Sequence, residues 1–270
     1  MGILFAAAIA TIAALVIIGG IIAWNSTWTD RWFLTFLCLV MMPASPLTFY
    51  GLRLPIDGLL QRLVIDDGLR RLVTFALRPL IEELFKLWPL MIPIIWKSTT
   101  KETRLWRALA IGLGFGIGEI WLLTEIVFRN NPDVANQSLL SLTGFINERV
   151  MVCLIHGALT GIALHQIGPG LPIAIGLHTI GNLPIYLMEI SAFGLAATTW
   201  TTIVQTWVLW YFFMMVAFVW TMAGGDFHAI WLLFGDATCP YCGTVYPRAS
   251  LTWNLRVVHQ DHCPRCKARV

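Results

Sequence analysis

The sequence predicts an all-α polytopic membrane protein of about seven transmembrane helices, with room for an eighth, followed by a small cysteine-bearing tail. Three observations carry that prediction. Of the 270 residues, 57% are hydrophobic and only 12% charged, with a mean hydropathy of +0.73. A water-soluble domain carries about twice that charged share, so lipid must cover most of this apolar surface. Apolar runs of bilayer-spanning length recur along the chain, and many of the thirteen tryptophans lie near their ends, as in an interfacial aromatic belt. The net charge of +3 is small and scattered, and leaves no electrostatic footprint for a nucleic-acid partner.

The first run, 3–24, lacks the Lys or Arg that opens a secretory signal and is longer than a signal-peptide core, so it is expected to be a retained span. Further spans are expected near 32–52, 79–96, 105–128, 149–167, 171–188 and 200–222. Between the second and third, Arg53 to Arg78 mixes apolar residues with Arg62, Asp66, Asp67, Arg70 and Arg71, which fits an interfacial amphipathic helix or a short extra span. After Gly224-Gly225-Asp226 the apolar character falls away. The expected division is therefore 1–235 for the membrane domain and 236–270 for the appendage. The densest basic loop (Lys97, Lys101, Arg104, Arg107) and the basic tail lie an even number of spans apart, so both can face the cytosol.

The acidic, basic and imidazole groups within spans concentrate in the middle of the chain. The third span carries Glu82, Glu83 and Lys86, and the fourth Glu119 and Glu125. The fifth carries His156 and His165, the sixth His178 and Asn182. A charge at the bilayer centre costs about 2.5–3.5 kcal/mol on insertion scales, so such groups face the bundle interior and serve function. Helical spacing lets Lys86 neutralise either glutamate, puts His178 and Asn182 on one face, and places Arg149 two turns before His156. Glu119 lies in a helix dense in glycine, where backbones can approach closely; such a wall suits an extended peptide, or simply a tightly packed, neutral carboxyl. His165 and Glu125 lie near helix ends and read as bystanders, and His228 as an interfacial residue.

Four of these elements follow a known order. Glu82-Glu83-Leu-Phe-Lys86 has the form EExxK, and Phe115-Gly-Ile-Gly-Glu119 the form FxxxE; Arg149 with His156, and then His178-Thr-Ile-Gly-Asn182, come after them. Over about 75–190 the chain resembles the PrsW family of intramembrane proteases, relatives of the CAAX prenyl endopeptidases. The resemblance implies a membrane-embedded endopeptidase with Glu82, Glu83, Glu119, His156, His178 and Asn182 as its catalytic group. In it Glu82 would activate water, Glu83 would be held by Lys86 or Arg149, and His178 with Asn182 would bind the oxyanion. In the CAAX-type members the second motif ends in His rather than Glu119, which leaves the base open. Substrates implied by the resemblance are membrane-anchored proteins such as anti-sigma factors, and a plasma-membrane location follows. Whether catalysis uses a metal stays open. The chemistry is coherent on its own terms: hydrolysis needs a carboxylate base and hydrogen-bond donors aimed at the oxyanion. The sequence has no HExxH zinc helix, no Gly-x-Ser-x-Gly elbow and no Gly-x-Gly-Asp.

The tail carries Cys239-Pro-Tyr-Cys242 and, twenty residues on, Cys263-Pro-Arg-Cys266. Two CxxC pairs so spaced predict a structural Zn2+ held by four thiolates, whose binding supplies the folding energy that so short a segment lacks. Two disulfides or a rubredoxin-like iron are alternatives, and His259 and His262 could compete as ligands. Thiols of this kind place the tail in a reducing cytosol. Two other functions use the same residues: a proton-coupled transporter, since buried Glu and His build relays, and a non-catalytic scaffold that presents the ribbon.

Overall fold

A computed structural model describes residues 1–100, 103–165, 169–224, 236–239, 241–247 and 265–266. The chain forms two compact units, Met1–Val216 and Ala217–Val270. Among the described residues, six helices are long and apolar enough to cross a membrane, and the chain is a multi-pass membrane protein in architecture. They are α1 (Gly2–Trp24), α2 (Trp28–Leu63), α5 (Arg104–Asn130), α6 (Thr143–His165), α7 (Gly170–Glu189) and α8 (Ala197–Met222). Between α2 and α5 lie α3 (Asp67–Lys86) and the short α4 (Pro93–Ser98).

The expected third span at 79–96 is where the count falls from about seven to six. The α3 helix stops at Lys86. A single 3-10 turn at Trp88–Met91 follows, and Pro89 and Pro93, which cannot donate to an ongoing helix, divide the apolar run. The mixed segment Arg53–Arg78 is likewise not one interfacial helix. Its first part continues α2 through a π-bulge at Phe49–Arg53, and its second part is the charged first half of α3. Asp66 caps α3 by accepting a hydrogen bond from the Leu69 N–H at 2.6 Å.

The first unit buries a charged cluster within an apolar core and exposes large apolar side chains on its surface. Phe5, Val16, Trp32, Phe36, Leu47, Trp210 and Phe213 are exposed, whereas Glu83, Lys86, Arg107, Arg149, His156 and His178 are buried. So much exposed apolar surface suits a hydrocarbon surrounding.

At the centre, α5 packs along α6, with α2 on its other side and α1 across both. Its glycines alternate between those neighbours. A Cβ on Gly112 would sit 2.2 Å from the Gly157 backbone nitrogen, and one on Gly116 2.8 Å from Cys153. On the opposite face, a Cβ on Gly114 or Gly118 would sit 2.1 Å from the Cys38 carbonyl oxygen or 2.0 Å from that of Met42. Backbones thus touch on both sides of α5, the close-approach packing that small residues permit between membrane helices.

In the second unit the described residues include a two-stranded antiparallel hairpin, β1 (Asp236–Thr238) and β2 (Val245–Pro247), with Asp236 opposite Pro247.

Candidate functional site

The glutamate pair lies in the last turn and a half of α3, past Pro79, and the two carboxylates diverge. Glu83 turns into the bundle with its side chain 1% exposed, and Lys86, three residues on, donates from Nζ to its Oε1 at 2.6 Å. The lysine chooses Glu83 because the partner of Glu82 comes from elsewhere: Arg53, on the π-bulge of α2, donates from Nη1 to Glu82 Oε1 at 2.7 Å. Arg53 carried no functional expectation from the sequence. Its only signal was a cation at the end of an apolar run.

Lys86 also reaches α6. Its Nζ lies 2.8 Å from His156 Nδ1 and 5.0 Å from the centre of the Phe115 ring. An ammonium has donors and no acceptor, so Nδ1 of His156 accepts and Nε2 carries the proton. That Nε2 donates to Glu119 Oε2 at 2.6 Å, and Arg149 Nη1 donates to Glu119 Oε1 at 3.0 Å. The seven-residue spacing of Arg149 and His156 on α6 is thus what grips both oxygens of one carboxylate on α5. Arg149 also pairs with Glu148 at 2.5 Å.

From α7, His178 Nδ1 donates to Glu83 Oε1 at 2.6 Å. Its Nε2 then faces Glu82 Oε2 at 3.7 Å. Two bonds hold this part of α7 to α8: Tyr211 donates to the Leu177 carbonyl at 2.7 Å and Trp207 Nε1 to the Gly181 carbonyl at 3.1 Å. Asn182, one turn past His178, has no hydrogen-bond partner for its amide among the described residues.

These groups surround a cavity of about 240 Å³. Glu82, Glu119, His156, His178 and Asn182 line it, and Glu83 lies buried behind His178. Its wall also includes Arg53, Glu148, Arg149 and Tyr211, and at one end Phe75 stacks on Tyr186 with ring centres 4.4 Å apart. The carboxylates Glu82, Glu83, Glu119 and Glu148 meet the fixed cations Arg53, Lys86 and Arg149, so the centre is net negative while both imidazoles are neutral. His165 is exposed at the end of α6, and Glu125 pairs with Arg129 at 2.6 Å away from the cavity.

In the second unit, ligand atoms of Cys239, Cys242 and Cys266 lie within 4.8 Å of one another. Sγ of Cys239 and Sγ of Cys266 are 3.6 Å apart, too far for a disulfide between them at about 2.05 Å. Thiolates on a tetrahedral zinc at about 2.3 Å would be separated by about 3.8 Å, so the donor set fits a metal. The Gly243 N–H donates to the Cys239 carbonyl at 2.8 Å, and Gly243 takes a positive φ of 69°, closing the first knuckle. Cys263, the fourth expected ligand, lies outside the described residues, as do His228, His259 and His262.

Compared with known proteins, the chain matches no family model, no curated protein and no solved structure.

Proposed function

We propose that the chain is an intramembrane endopeptidase of the PrsW kind that hydrolyses membrane-anchored proteins with a water held between Glu82 and His178. The observation that carries this reading is the 3.7 Å separation of Glu82 Oε2 and His178 Nε2 on the wall of the cavity. A water can lie about 2.8 Å from both atoms at once. With the His178 Nδ1 proton committed to Glu83, the neutral imidazole presents a lone pair at Nε2, and both atoms of the pair accept protons.

Attack on a scissile carbonyl passes one water proton to this pair as the C–O bond forms. The amide of Asn182 donates to the oxyanion, and the protonated His178 Nε2 adds a second donor. Collapse breaks the C–N bond, and the proton moves from the pair to the leaving amine. Arg53 orients Glu82 so that Oε2 faces the cavity, and Glu119 holds His156 and Arg149 together. The tail's cysteines favour a structural zinc on the cytosolic side of a plasma membrane.

Cleavage of a co-expressed single-span reporter tests the reading. Glu82→Gln keeps the shape and removes the base, and cleavage is expected to fall by about 100-fold or more. Wild-type cleavage by Glu82→Gln and by His178→Ala would refute it. A second reading, proton-coupled transport, draws on the unbroken chain of contacts Glu83–Lys86–His156–Glu119–Arg149. It gains ground if no reporter is cleaved while proteoliposomes pass protons through wild type and not through Glu119→Gln.

A further inference from the structure

Glu83, His156 and His178 come from α3, α6 and α7, are all buried, and bring one ligand atom each within 4.8 Å of the others. Two imidazoles and a carboxylate are a donor set that binds catalytic zinc. Two of the three are nevertheless already engaged by one cation. Lys86 Nζ lies 2.6 Å from Glu83 Oε1 and 2.8 Å from His156 Nδ1, with the face of Phe115 at 5.0 Å, and its side chain is fully buried.

A zinc ion would need these two atoms at about 2.0–2.2 Å. Ammonium and metal therefore exclude one another. A second observation marks the place as one built for more charge than a single lysine supplies. Glu83 Oε2 is buried and has no hydrogen-bond partner among the described residues, so one carboxylate oxygen is left over once Lys86 and His178 have both engaged the other. Burying such an oxygen unpaired is costly, and a divalent ion could engage it.

We propose that Lys86 is the resident cation of a three-ligand metal pocket. Tethered one turn from Glu83, it occupies the position of a divalent ion and holds Glu83 and His156 in place. It keeps zinc out of the membrane centre, and its removal turns that centre into a zinc site. This holds whether or not the cavity hydrolyses peptides, because it is read from metal content rather than cleavage.

The test uses the full chain purified in detergent, loaded with excess Zn2+, desalted and analysed for metal. Wild type is expected to hold about one zinc, in the cysteine tail, and Lys86→Ala about two. The added ion should be lost again in Lys86→Ala combined with His156→Ala. A wild-type chain that already holds a second zinc, lost in Glu83→Gln, would overturn the proposal. So would a folded Lys86→Ala with no more metal than wild type. If Lys86→Ala is unfolded without metal, recovery of a monodisperse protein on adding Zn2+ supports the proposal. Failure to recover, with Lys86→Met folded and also without added zinc, overturns it.

Discussion

Replacing Gly112 with alanine tests how the bundle positions its polar centre. The added Cβ would stand 2.2 Å from the Gly157 nitrogen and 2.5 Å from the His156 carbonyl carbon. Ordinary contact begins at 3.4 Å, so α5 and α6 must part by about 1.2 Å, and since both obstacles are backbone no rotamer change relieves them. Two turns further along α5 the same helix pair is joined at Glu119, by the 2.6 Å bond from His156 and the 3.0 Å bond from Arg149. A separation of about 1.2 Å carries both beyond about 3.5 Å, where a hydrogen bond no longer holds. The expected loss of stability is about 1–3 kcal/mol from overpacking. If the cavity is catalytic, cleavage should fall by about 100-fold, the scale of a misplacement near 1 Å. Gly176→Ala is the matched control: nothing lies within 4 Å of its added Cβ, and the helix gains propensity. The assay is denaturation in detergent in parallel with reporter cleavage. Equal unfolding midpoints and equal cleavage for the two variants would refute the argument that backbone contact at Gly112 sets the site.

Tyr211→Phe removes the bond to the Leu177 carbonyl, next to His178, while keeping the ring that stacks on Trp207. It should cost about 0.6–1.5 kcal/mol of stability and lower cleavage several-fold, read by the same two assays. Cys239→Ser with Cys242→Ser should take zinc from about one per chain to about none by elemental analysis, and unchanged metal content would remove the ribbon.

Much of the site was legible because intramembrane charge is costly enough to be rare. Glu82, Glu119, His156, His178 and Asn182 stand out in apolar runs, and they line one cavity. Helical spacing left Lys86 able to reach either glutamate, of which it pairs with Glu83, and it anticipated Arg149 with His156 on one face. What spacing does not contain is which helices cross. Arg53 belongs to a stretch whose charges read as interfacial, and only the π-bulge in α2 brings it to Glu82. Tyr211 was missed for the same reason, since it gains meaning from the Leu177 carbonyl on another helix. The third span was misplaced because hydropathy averages over a window, while Pro89 and Pro93 act at single residues and divide the run that the average joins.

The two glycine rows of α5 leave no slack on either flank of that helix. A chain arriving sideways from the lipid could not wedge itself between α5 and α6, or between α5 and α2, without prising backbones apart. Under the proposed function a substrate segment would have to enter elsewhere, and Phe75 and Arg78 of α3 with Tyr186 and Glu189 of α7 line the cavity away from α5.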